Sequence, residues 1–174
     1  MDDLPTVEFA DFACPHCQTY RPIIEQVVVD YVATGQAKLE LRIFPTAGGE
    51  MTYFAGQVLE CAQHQLPGTF WQGYELFYGY ATGSEYDSAI AERVADEYDM
   101  DYWKMVTCLE YAQQVLRDVA LGQDSGVTGT PAVMVRFGDT APEFITLDGV
   151  TYNRGGVSFD VLAQVIEAAQ GETL

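Results

Sequence analysis

Residues 7–20, VEFADFACPHCQTY, pass from a strand through two cysteines into a helix, and that passage decides the fold. Over residues 6–13, TVEFADFA, the run of Val7, Phe9 and the apolar residues behind Pro5 has the pattern of a strand. Pro15 then stands at the first position of a helix, where its missing N–H removes no bond. Ile23, Ile24, Val27, Val28 and Tyr31 give this helix an apolar face. It should end near Gly35, and Pro22 inside the pattern should kink it. Residues 38–44, KLELRIF, alternate as a second strand, closed by Pro45 and the Gly48–Gly49 pair. Strand, helix and strand make the smallest parallel unit, whose crossover should be right-handed.

Two cysteines spaced as Cys14 and Cys17 can close a small disulfide without moving the backbone. At a helix N-terminus, unpaired N–H groups and the helix dipole stabilise a thiolate. Cys14 is therefore read as the nucleophile when reduced and the sulfur attacked when oxidised, and Cys17, one turn further in, as the resolving thiol. The competing reading of the pair is a structural disulfide or two inert thiols. His16 lies between them: an imidazole beside Cys14 favours the thiolate and pushes the pair toward an oxidant, and the plain alternative is an exposed helix residue. Glu8 alternates onto the face of Ala10 and Phe12, opposite Val7 and Phe9. A carboxyl under the helix would be raised by desolvation and could relay a proton to Cys17, with Asp11 a rival for that role; otherwise Glu8 is an exposed strand residue.

From Glu50 to about Leu121 the period becomes helical. Phe54, Val58, Cys61 and Ala62 mark one face, and Trp71, Tyr74, Phe77 and Tyr78 another, after the Pro67–Gly68 break with Thr69 as its cap. Residues 85–98 make a third helix and Tyr102 to Leu116 a fourth. Strands return at 132–137 and 143–147, paired across Gly138 and Asp139. Ser158 caps a last helix with Phe159, Leu162, Val165, Ile166 and Ala169 inward, stopped by Gly171. The order is α/β: β-α-β, a helical insertion, then β-β-α. Pro131 precedes the third strand; a cis bond there would turn the Thr130 backbone outward, where it can pair with an extended substrate beside Cys14.

A chain of 174 residues, 48% hydrophobic, supports one core. Its 26 acids against 8 basic residues give a formal charge of -18, which argues against nucleic acid and against adhesion to anionic lipid. No apolar run is long enough to span a bilayer, so direct membrane insertion is not expected, and the first residues, MDDLPTVEFADFAC, do not read as a secretory signal. Seven acids between Glu85 and Asp101, against Arg93 alone, read as a solvated helix face, or else as a docking patch for a basic client. His16 and His64 sit at no zinc-site spacing from the four cysteines, so no metal is expected. Cys61 and Cys108 are left as two buried thiols or one long-range disulfide.

VEFADFACPHC at 7–17, GVTGTPAVMV at 126–135 and the helical stretch between them resemble the DsbA-like branch of the thioredoxin superfamily. The resemblance covers essentially the whole chain. It implies a thioredoxin fold with an inserted helical block between the β-α-β and β-β-α halves, as one domain over 1–174: core at 1–48 and 122–174, insertion at 49–121. Glu8 falls on the family's buried acid, Cys14 on its nucleophile, Cys17 on its resolving cysteine, and Thr130 and Pro131 on the pair around its cis-proline. Pro15, Thr130 and Pro131 are the implied substrate-positioning residues. CPHC is typical of oxidising members, which introduce disulfides into secreted proteins and are reoxidised by a quinone-linked membrane protein. The implied partners are thus reduced secreted polypeptides and such a reoxidising protein, in the bacterial periplasm or cell envelope, with no organic cofactor. Some members carry a second disulfide between comparable helices, which implies a structural Cys61–Cys108 bridge. Members often have a further strand ahead of the first one here, for which only Met1 to Thr6 remain. The rival readings are a reductase or isomerase using the same pair, and a peptide-binding module or chaperone in which the cysteines are incidental. Kappa-type glutathione-dependent isomerases share the architecture but generally lack CPHC.

Overall fold

Strand β1 (Leu4–Ala10) is central in a four-stranded sheet. It runs parallel to β2 (Ala37–Ile43) and antiparallel to β3 (Ala132–Val135), and β3 pairs with β4 (Glu143–Phe144), giving the order β2-β1-β3-β4. A central strand covered on both faces has no polar side to spare, and Val7, Glu8, Phe9 and Ala10 are all fully buried. Val7 and Phe9 pack with Phe44, Val127 and Met134. Glu8 points the other way, in register between Leu41 and Val133. The computed structural model describes residues 4–171, so the first three and last three positions of the expected 1–174 domain, including Met1 to Asp3 ahead of β1, lie outside the described residues.

Helix α1 (Pro15–Val27) accommodates Pro22 without ending. The irregularity expected at Pro22 sits instead at Val28–Val32, a wider π-helical turn in which the Ala33 N–H reaches the Val28 carbonyl at 2.8 Å. Tyr20, Ile24 and Val27 of α1 form a core with Val133, Val135 and the inward face of the last helix, α7 (Phe159–Gly171), through Leu162 and Ile166. Ser158 holds the start of α7 through its carbonyl, which accepts the Leu162 N–H at 3.1 Å.

Between β2 and β3 lie five helices: α2 (Gly49–Gln65), α3 (Thr69–Thr82), α4 (Ile90–Glu97), α5 (Tyr102–Leu109) and α6 (Gln114–Asp124). The single helix expected over Tyr102 to Leu116 is two. Glu60 of α2 accepts the N–H groups of Gln113 (3.3 Å) and Gln114 (2.9 Å), capping α6 from another helix and fixing the break. Thr69 is the first residue of α3 and not its cap; Gly68 occupies that position with φ 98°, and Gln63 accepts the N–H groups of Gly68 and Phe70. The helix expected over 85–98 shortens to α4, because Asp87 closes a turn ahead of it by accepting the Ala89 N–H at 2.9 Å and pairing with Arg93. The seven acids between Glu85 and Asp101 are all exposed, the pattern of a solvated face.

The strand expected over 143–147 divides at Ile145, which turns into the core beneath α7. Beyond it β5 (Thr146–Leu147) pairs with β6 (Val150–Thr151) in a separate hairpin, whose Asp148 and Gly149 both take positive φ, 51° and 78°. The strand expected over 132–137 ends at Val135.

Cys61 of α2 and Cys108 of α5 form a disulfide across a separation of 47 residues. Cys61 is fully buried and Cys108 half-buried, so attack on the accessible sulfur would expel a thiolate into an apolar interior. The expected behaviour is that of an inert staple. Replacing both cysteines by alanine should lower the unfolding free energy by about 4 kcal/mol by loop-closure entropy, read from chemical denaturation, and leave the potential of the Cys14–Cys17 pair unmoved.

Candidate active site at the start of α1

The chain leaves β1 through Asp11, whose fully buried carboxylate organises the loops around the cysteines. It accepts the N–H of Ala13 (2.9 Å), the N–H (2.7 Å) and hydroxyl (3.1 Å) of Thr46, the N–H of Gly48 (2.9 Å) and the hydroxyl of Thr52 (2.5 Å). A carboxylate so saturated has no capacity left as a proton relay, which removes Asp11 as the rival of Glu8. The Thr46 hydroxyl also meets that of Thr130 at 2.7 Å, so Asp11, Thr46 and Thr130 tie together the loops after β1, after β2 and before β3. Sequence reasoning missed this clamp; apart from Ala13, the donors stand 35 to 41 residues from Asp11, with no local pattern to join them.

Cys14 is the N-cap residue of α1, extended at φ -75° and ψ 118°, with Pro15 following. Its N–H donates to the Asp11 carbonyl at 3.0 Å, and its thiol donates to the Thr130 carbonyl at 3.3 Å. The Thr130–Pro131 bond is cis. No acidic residue occupies the first turn of α1, so nothing there opposes negative charge on the sulfur. Cys14 keeps 5% of its surface exposed and Cys17 none, and both are free thiols. Burial pushes the Cys17 thiol up, against smaller lowering contributions from hydrogen bonds with Asp11 and Thr130. Pro15 and His16 are exposed. His16 lines a groove of about 580 Å³ whose floor includes Thr130 and Pro131; among the described residues no hydrogen bond joins it to Cys14.

Behind the pair, Phe12 inserts from the loop into α3 and meets Phe77 and Tyr78 edge-on, at 5.5 and 5.2 Å between ring centroids. The helical block thereby supports the loop that carries the cysteines. Glu8 is buried nearby, and both its oxygens find no hydrogen-bond partner among the described residues. Desolvation pushes the Glu8 carboxyl up to about 8, and its charge would in turn raise Cys17, Tyr20, Tyr74 and Tyr78. Tyr20 crosses to the segment before α7, its hydroxyl donating to the Val157 carbonyl at 2.7 Å. That segment is a second element sequence reasoning missed.

A family model described as thioredoxin matches residues 5–140. Among curated proteins, the Na(+)/H(+) antiporter NhaA 3 of Salinispora tropica is 28% identical over 132 residues, covering 74% of this chain and 19% of that protein. The chain thus spans about a fifth of the length of the curated relative it matches, and none of its own helices, among the described residues, is long and apolar enough to cross a membrane. The fold is similar to that of alpha-DsbA1 from Wolbachia pipientis, with a TM-score of 0.74 at 17% identity over 98% of this chain and 87% of the other. It is also similar to oxidised BdbD from Bacillus subtilis, with a TM-score of 0.71 at 19% identity over 95% and 86%. Both likenesses are of fold, and both include the helical block.

Two outcomes follow from the buried carboxyls. Glu8 titrates at its ordinary 4.5 when unfolded and about 8 when folded. Its contribution to stability is therefore complete below the lower value and lost as pH rises through the upper one. Glu8→Gln should gain stability relative to the unsubstituted protein by up to about 1.4 kcal/mol per pH unit across that window, measured by denaturation at several pH values. Thr46→Val removes the hydroxyl shared by Asp11 and Thr130 and should cost about 1–3 kcal/mol, whereas Thr46→Ser should restore most of it.

Proposed function

This chain belongs to the thioredoxin family, and from that membership and the geometry at Cys14 we propose that it is a protein thiol–disulfide oxidoreductase working as an oxidase of secreted polypeptides. The observation that carries the reading is the position of one sulfur. Cys14 caps α1, borders the cis Thr130–Pro131 bond, and has its resolving partner Cys17 buried one turn further in.

With the pair oxidised, a client thiolate attacks the Cys14 sulfur, the Cys14–Cys17 bond breaks, and Cys17 leaves with the electron pair. Glu8, still protonated at neutral pH, supplies a proton to the departing Cys17 thiolate. A second client thiolate attacks the client sulfur of the mixed disulfide, and Cys14 leaves as a thiolate at the helix N-terminus. The client gains a disulfide and the pair gains two electrons. Thr130 and Pro131 border the extended client chain in the groove that His16 also lines, and Pro15 stands exposed next to Cys14 to meet it. Turnover then requires a reoxidising partner, for which we propose a quinone-linked membrane protein. The Cys61–Cys108 disulfide supports a site of action outside the reducing cytosol, in the periplasm or cell envelope.

Equilibration with glutathione redox buffers tests the direction. A potential for the Cys14–Cys17 pair at or above about -180 mV is expected for an oxidase, and one near -270 mV reassigns the protein as a reductase. Cys14→Ser should abolish disulfide formation in a reduced client; full activity in that variant leaves only a peptide-binding role.

A further inference from the structure

The charge of the protein is distributed unevenly around the groove beside Cys14. The whole chain carries -18, yet the residues lining this groove include no aspartate or glutamate. Its single permanent charge is Arg154. Elsewhere Arg21, Arg42, Arg93, Arg136 and Lys104 are each engaged in an ion pair, and Arg117, which has none among the described residues, lines a separate pocket together with Glu60 and Asp118. Arg154 is exposed and has no carboxylate partner among the described residues. An unpaired guanidinium in an acid-free groove on an acidic protein is a cation with its counter-charge still to come.

The backbone that carries Arg154 is held in place. Gly155 bridges to Ala132, the residue after Pro131, which sets Arg154 beside the cis-proline loop. Gly156 lies against the Tyr20 ring so closely that a Cβ there would fall 2.3 Å from a ring carbon, and only glycine permits this approach. Val157 closes the contact by exchanging hydrogen bonds with the Tyr20 hydroxyl, as acceptor at 2.7 Å and as donor at 3.2 Å. Tyr20 belongs to the helix that Cys14 caps, so the segment carrying Arg154 is anchored to the same two elements, α1 and β3, that position the reacting sulfur.

Resting on the oxidoreductase reading, we propose that Arg154 selects clients: the groove favours extended polypeptide segments with an aspartate or glutamate close to the reactive cysteine. A carboxylate on the client would form a charge-assisted pair with the guanidinium while the client cysteine lies over Cys14, and the acidic surface outside the groove would disfavour the same segment bound elsewhere. Specificity of this kind acts on capture of the client and leaves the chemistry of the cysteine pair alone.

The test uses the oxidised protein and three cysteine peptides of equal length, differing only in glutamate, glutamine or lysine beside the cysteine. Second-order rate constants for mixed-disulfide formation are measured at about 0.15 M salt, where the field of distant charges is screened beyond ~8 Å. The glutamate peptide should react about two- to fivefold faster than the lysine peptide, within the range expected of one exposed charge pair. Arg154→Gln should abolish that preference, Arg154→Glu should invert it, and Arg154→Lys should retain part of it. An unchanged Cys14–Cys17 potential in each variant shows that the site itself is intact. Equal rates for all three peptides, or a preference that survives both Arg154→Gln and Arg154→Glu, overturn the role of Arg154 and leave the oxidoreductase reading standing. Failure to react with any of the three rejects both.

Discussion

The Asp11 carboxylate is the point to which the loops of the site are tied. A buried carboxylate is costly to desolvate, and it stays in place because five donors from three segments converge on it. Those donors fix the turn that starts α1, the turn after β2 and the first residues of α2. Through Thr46 the same anchor reaches Thr130, whose carbonyl receives the Cys14 thiol. The placement of the Cys14 sulfur against the cis Thr130–Pro131 bond therefore depends on Asp11, which does not itself touch that sulfur through its side chain.

Glu8 stands in contrast three residues earlier, on the strand that Asp11 follows. It is equally buried, yet nothing among the described residues hydrogen-bonds it. One carboxyl is saturated by donors, and desolvation drives the other toward the neutral acid. The pairing of environments matters more than the identity of either side chain: the saturated carboxyl ties loops together, and the unsatisfied one lies buried close enough for its charge to act on the Cys17 thiol. The cost to stability builds up as pH rises from the ordinary carboxyl range to about 8, a local conflict between burial and ionisation within an otherwise apolar core.

The helical block belongs to this architecture rather than hanging from it. Phe12 leaves the cysteine loop to pack among Phe77 and Tyr78, so the block and the loop share one core with Cys14 and Cys17 at its edge. The disulfide between α2 and α5 braces that block from within. Negative charge is arranged around the same centre, crowded on the outer surface of α4 and its flanking turns and absent both from the first turn of α1 and from the groove beside it.

What the sequence determined by itself was local: a strand ending in CPHC, Pro15 opening a helix, the alternation of β2, and the helical face that joins Leu162 to Ile166, because each depends on residues within one or two turns of one another. Alternation also placed Glu8 on the correct face, opposite Val7 and Phe9, but not its full burial, which required β1 to be a central strand with β2, β3 and two helical layers around it. The roles of Cys61 and Cys108 stood open between free thiols and a bridge until α2 and α5 met. The break between α5 and α6 was hidden for the same reason, since Glu60, which caps α6, lies more than fifty residues upstream. Asp11 offered no sign of its clamp in its neighbours, and Arg154 none of its solitude. Tertiary structure decided these because hydrogen bonds, ion pairs and desolvation are fixed by which distant segments come to lie together, and periodicity carries no record of that.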